Sequence, residues 1–162
     1  MGRQVIAAVV ILGTVVAPVL ASQARGGASS SPRIRACSLL TKEVVKKFAT
    51  PESTRMLDLF PPMEEQMGAT GSACEYGGVR LQVDPFARRE DLRKSPGKDW
   101  QSVSGVGDTT FFRANGREYA ELMTWSGTHH FTIQMDVPTG STPEAIKPNT
   151  IQLANYLITT LR

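Results

Sequence analysis

Two histidines, a scatter of carboxylates and two cysteines carry whatever side-chain chemistry this 162-residue chain can perform. His129 and His130 are adjacent, at the head of a stretch in which Phe131, Ile133, Met135 and Val137 alternate with Thr132, Gln134 and Asp136. That alternation predicts a strand, and neighbouring strand residues point to opposite faces, so the two imidazoles do not share one metal ion. His129 falls in the apolar phase and His130 in the polar phase. His130 with Asp108 or Asp136 is then the set a hydrolase or metal-dependent enzyme would use. A Ser-His-Asp combination can also be drawn from Ser126, His130 and Asp108. No nucleophile-elbow motif surrounds Ser126, and Gly127 beside it makes it a turn residue. Glu64-Glu65 and Glu90-Asp91 lie in charged stretches and read as solvated faces. Gly105-Val106-Gly107 lacks the spacing of a dinucleotide fingerprint and reads as a turn, with Asp108 bonding local backbone. These residues assign no catalytic set, no metal and no cofactor.

The cysteines are more informative, because the start of the chain indicates their compartment. Arg3 precedes an apolar run from Val5 to Leu20, Pro18 breaks it, and Val19-Leu20-Ala21 places short residues at cleavage positions. This is the layout of a secretory signal peptide over residues 1–24, with cleavage after Ala21 or Ala24. The run is shorter than the roughly 20 residues of a spanning helix, so no stable membrane span is expected after cleavage. Leu20-Ala21-Ser22-Gln23 has the form of a lipoprotein box, but Gln23 stands where the lipid-bearing cysteine would be, and nothing there can be acylated. The expected product is soluble and periplasmic or extracellular. Two cysteines in an exported chain, with no Cys-x-x-Cys spacing, predict a disulfide between Cys37 and Cys74. Closing that loop stabilises the fold by about 4 kcal/mol in the chain-entropy picture.

Arg25 to Ala36 is rich in glycine and serine, holds one large apolar residue, and reads as a flexible tether. Residues 37–162 have the size of one domain. The overall charge of +3 suggests a nucleic-acid partner, but Arg3, Arg25, Arg33 and Arg35 all precede Cys37 while every acidic residue follows it. The domain therefore carries fourteen basic and fifteen acidic side chains, a net of −1. Lys46-Lys47, Arg88-Arg89 and Arg93-Lys94 are short pairs among acids rather than a basic face, so nucleic acid is not expected as a partner.

The elements follow from spacing and punctuation. Thr41 caps a helix over Lys42 to Phe48, and Leu40 with Val45 forms a hydrophobic staple. Thr50-Pro51 stops it. Pro51 to Thr70 shows no period, and Pro61-Pro62 argues against a regular element. Its apolar residues Met56, Leu59, Phe60, Met63 and Met67, together with His130 on the polar phase of its strand, form the candidate ligand or partner surface. Ser72–Tyr76 and Val79–Asp84 pair across Gly77-Gly78, with Val79, Leu81 and Val83 on the dry face. Arg88 to Lys94 reads as a short surface helix closed by Pro96-Gly97. Thr109–Arg113, Glu118–Trp125 and His129–Val137, joined at Asn115-Gly116 and Ser126-Gly127, make a three-strand meander. Asn149 to Leu161 repeats Ile151, Ala154, Leu157, Ile158 and Leu161 at helical spacing. Thr142-Pro143-Glu144-Ala145 reads as a separate turn before it, because Pro148 suits a helix start better than an interior. The expected fold is α+β: an antiparallel sheet of about five strands, hairpin plus meander, with N- and C-terminal helices on one face and water on the other.

Cys37-Ser38-Leu39-Leu40-Thr41 with Glu43-Val44, then Cys74-x-Tyr76, Val103-x-Gly105-Val106-Gly107-Asp108 and a terminal Leu153-Ala154 helix resembles a family of exported bacterial cell-envelope proteins. Many members are lipoproteins, and their shared domain has no assigned function. The resemblance implies the same pairing of a cysteine before the first helix with one in the first strand. The order of elements is also similar to PsbP-like folds, which implies an antiparallel sheet with packed helices and nothing about function. The combined expectation is an exported, non-catalytic envelope domain that binds a protein, peptide or small ligand.

Overall fold

The computed structural model describes residues 34–84, 90–94 and 96–162. The signal segment, most of the tether and Arg88-Arg89 lie outside them. Among the described residues, no helix is long and apolar enough to cross a membrane.

Three short helices open the domain. Residues Ala36–Leu39 form α1, Lys42–Phe48 form α2 and Pro51–Met56 form α3. Thr41 caps α2 as expected, its side chain accepting from the Val44 N–H, and Val44, Val45 and Phe48 are buried. Thr50-Pro51 does end α2, but it also starts a helix. Thr50 Oγ1 accepts from the Ser53 N–H at 3.2 Å, and Pro51 takes the first helical position, where its missing N–H costs nothing.

Seven strands follow among the described residues, not five: β1 Met63–Met67, β2 Gly71–Tyr76, β3 Val79–Asp84, β4 Gln101–Ser102, β5 Thr109–Asn115, β6 Tyr119–Ser126 and β7 His129–Asp136. They form one open antiparallel sheet in the order β1-β2-β3-β7-β6-β5-β4. The additional strands are the two edges. Every residue of β1 is exposed, so it has no alternation to read, and it begins directly after Pro61-Pro62. The expected hairpin is present, with Tyr76 opposite Val79 and both Gly77 and Gly78 at positive φ. Because β1 precedes it, Cys74 lies in the second strand. Between β3 and β4, Glu90–Lys94 form α4.

The closing helix, α5, spans Pro143–Thr160 and is longer than the spacing predicts. Thr142 caps it, accepting from the Ala145 N–H, and Pro143 sits in its first turn. Pro148 is accommodated inside the helix. It removes one N–H early on, and Glu144, whose carbonyl loses that partner, is exposed. Ile146, Leu153, Ala154, Leu157 and Ile158 then bury themselves against the sheet.

The registers define two faces. Cys74, Leu81, Ile133, Leu122 and Phe112 stand on the face covered by α1, α2 and α5 and form the core. The opposite face is drier than expected. Trp125 is fully buried there, and Met123, His130 and Glu121 are buried too. Described side chains that reach this face include Arg93 of α4, 3.4 Å from Thr109 Oγ1, and Trp100, over which the Arg113 guanidinium stacks at 4.5 Å.

The disulfide joins α1 to β2, Cys37 to Cys74, with the Cα atoms 4.9 Å apart. Beside it the Ala36 N–H donates to Ser72 Oγ, and that hydroxyl donates to the Ile34 carbonyl.

Candidate functional site

One end of the sheet is not sealed. There the β2–β3 turn, the exit of β7 and the passage from α3 into β1 surround an open groove of about 730 Å³. Its floor is the Gly77-Gly78 turn. Both glycines are needed, because a Cβ at Gly77 would lie 2.8 Å from the Ser53 carbonyl oxygen, and one at Gly78 would lie 2.7 Å from Asp136 Oδ2. Both also have left-handed dihedrals, φ +57° and +71°, that other residues rarely adopt. The close approach lets α3 pack on the turn, with Leu57 buried against it and the Tyr76 hydroxyl donating to the Leu57 carbonyl at 3.4 Å.

One wall is apolar. Met56 from the end of α3, Phe60 and Met63 line the groove, and all three are exposed. Phe60 and Met63 keep 59% and 61% of their surface open to water, and Leu59 keeps 68% beside them. Contiguous exposed side chains of this size mark an interaction surface more often than chance contact with solvent. Met67 is exposed at the other end of β1, on the same face as Met63 but outside the groove.

Acidic side chains are interleaved with these: Glu52 lies one turn before Met56 on α3, Glu75 of β2 is directly opposite Met63, and Glu118 before β6 and Asp136 at the end of β7 complete the lining. Glu52 also accepts from the Thr139 N–H at 3.3 Å, which ties α3 to the chain leaving β7. The Asp136 carboxyl is held above the ordinary carboxylate range, first by loss of water around it and then by the negative charges of Glu75 and Glu52.

The structure separates His130 from this surface. His130 pairs with Trp125 across β6 and β7, its ring 4.6 Å from the indole, and is buried. Asp136 lies six residues further along the same strand, about 20 Å away at strand rise. Asp108 serves a turn: its Oδ2 accepts from the Gly127 N–H at 2.8 Å and lies 4.0 Å from the Arg93 guanidinium. It thus bonds the neighbouring hairpin rather than its own loop. Ser126 and His129 are opposite each other and share the helix-covered face, whereas His130 is on the other, so Ser126 and His130 cannot meet. No three His, Cys, Asp or Glu side chains converge to hold a metal among the described residues.

Of the surface expected from the sequence, Met56, Phe60 and Met63 line the groove while Leu59, Met67 and His130 do not, and of the groove's acids the sequence singles out only Asp136, as a partner for His130. The groove's carboxylates come from α3, β2, β7 and the turn before β6 and share no spacing. The Gly-Gly turn, a hairpin signal in the sequence, lies at the same place. Compared with protein-family models, curated proteins and solved structures, the chain matches none of them.

Proposed function

We propose that this chain is an exported, non-catalytic binding module of the cell envelope, and that its ligand surface is the groove at the β2–β3 turn. The observation that carries this reading is the open volume of about 730 Å³ flanked by exposed Met56, Phe60 and Met63. Ligand sites are concave, of a few hundred to about 1,000 Å³, and mix apolar walls with a few polar groups. Export is supported by Arg3 and the apolar run after it, and by a cysteine bridge suited to an oxidising compartment. Placement in the envelope rests on the resemblance carried by Cys37, Cys74 and Gly105 to Asp108.

Nile red, a neutral apolar dye, tests the groove. Its fluorescence is expected to rise and saturate at one dye per chain, and to lose that rise when Phe60→Ser and Met63→Ser are combined. Both side chains are exposed, so the melting temperature should be unchanged. An unaltered dye signal in that variant removes the groove as the ligand surface. Turnover of an envelope substrate that disappears in His130→Ala would move the protein among the enzymes. Export is checked by N-terminal sequencing of periplasmic product, which should begin after Ala21 or Ala24.

A further inference from the structure

The charges in the groove are of one sign. Its lining holds Glu52, Glu75, Glu118 and Asp136 and no lysine or arginine. Arg80 reaches Glu75 at 3.4 Å but is shared with Glu65 at 2.8 Å. Glu52, Glu118 and Asp136 make no ion pair with another described residue. Asp136 Oδ2 sits directly over Gly78, partly shielded from water and within electrostatic reach of Glu75 and Glu52. Mutual repulsion among these acids is unfavourable in the empty groove and is relieved by a cation.

We propose that the groove receives a cationic segment of another polypeptide, whose lysine or arginine meets Asp136 while an adjoining large apolar side chain packs among Met56, Phe60 and Met63. The inference rests on the groove being the ligand surface and adds the chemistry of its occupant. Charge complementarity selects the class, since unpaired carboxylates beside an apolar wall match a basic residue beside an apolar one. A bare metal ion is a poorer match because no three of the ligating groups converge. A second copy is also disfavoured. A symmetric contact through this patch would bring the same four acids face to face, in a domain whose net charge is already −1. The thioether side chains of Met56 and Met63 adapt to apolar partners of different shape, so the apolar requirement is size rather than one residue type.

The test uses the full chain and three end-capped hexapeptides that alternate leucine with lysine, glutamine or glutamate, followed by titration calorimetry. The lysine peptide is expected to bind about tenfold or more tightly than the glutamine peptide, the worth of one charge-assisted contact. The glutamate peptide should not bind. Raising salt from about 50 to about 500 mM should weaken the lysine peptide selectively, as charges are screened. Asp136→Asn should weaken the lysine peptide and leave the glutamine peptide unchanged, whereas Phe60→Ala should weaken both. Equal binding of the lysine and glutamine peptides, indifferent to Asp136→Asn, overturns the cationic occupant and leaves the groove reading standing if Phe60→Ala still acts. Absence of binding by every peptide overturns the polypeptide occupant, and the Nile red result then decides separately whether the groove binds anything. Self-association that Phe60→Ala abolishes would identify a second copy as the occupant and also overturn the proposal.

Discussion

Opening the Cys37–Cys74 bridge should cost this domain about 4 kcal/mol, nearly all of it through the unfolded chain. The bridge closes a loop of 37 residues, between the roughly 15-residue and 100-residue loops for which chain entropy gives about 3 and about 4.7 kcal/mol. On the native side little should change. Ala36 and Leu40 are fully buried, the Ala36 N–H is held by Ser72 Oγ at 2.8 Å, and Arg35 pairs with Glu64 at 2.6 Å, so α1 stays docked without the sulfur link. Reductant is the cleaner perturbation, because serine at the fully buried position 74 would add the penalty of an unpaired hydroxyl. Urea unfolding followed by tryptophan fluorescence, with Trp125 fully buried as reporter, should show a midpoint about 2 M lower in reductant, at a slope near 2 kcal/mol/M. The melting temperature should fall by roughly 15 °C, on the scaling for a domain of this size. The Cys37→Ala/Cys74→Ala variant should already be destabilised and should not respond to reductant. A loss under about 1 kcal/mol in wild type, or an equal reductant effect in the variant, refutes the entropic argument.

Two further perturbations address the groove. Gly77→Ala should destabilise the fold by about 2 kcal/mol or more, since left-handed φ alone costs roughly 1–2 and the new Cβ meets the Ser53 carbonyl and Leu57; a change below about 0.5 kcal/mol by urea unfolding would mean the turn and α3 do not pack as described. Asp136 has a folded pKa raised above its unfolded value, so its contribution to stability is fully present below the unfolded pKa near 4 and is lost as pH rises through the folded value. Asp136→Asn should therefore raise the melting temperature at pH 7, with the gain vanishing below about pH 4. A variant less stable at pH 7, or a gain that persists in acid, contradicts the burial and neighbouring negative charge assigned to Asp136.

What the sequence revealed depended on whether a residue's role in the fold leaves a local mark. Val79, Leu81 and Val83 alternate because one face of β3 is buried, so the strand and its phase were readable, as was the turn at Gly77-Gly78. β1 joins the sheet through backbone pairing to β2 while all of its side chains face water, so Met63–Met67 shows no period. Thr50-Pro51 was ambiguous in principle, because proline after a capping residue both ends one helix and starts another. Pro148 misled in the opposite direction, since burial of Ile146 and Leu153 on either side of it holds one helix together at the loss of a single hydrogen bond. Arg93 and Trp100 from the β3–β4 connection also reach the face that holds Trp125, contacts that no strand pattern encodes.

The stretch that resisted reading, α3, β1 and the passage between them, carries the apolar side chains of the groove. An exposed side chain follows no burial pattern, so Phe60 and Met63 escape the periodicity that burial imposes. Such a segment gains little stability from its own packing and has to be held by other means. Here the means are visible: α2, α3 and β1 all lie within the loop closed by Cys37 and Cys74, Glu52 ties α3 to the exit of β7, and Gly77-Gly78 permits α3 to approach the sheet. The disulfide therefore does more than staple a helix to a sheet. It closes the loop that carries Met56, Phe60 and Met63, and so acts together with the core contacts of Val44, Val45, Phe48 and Leu57 in that loop.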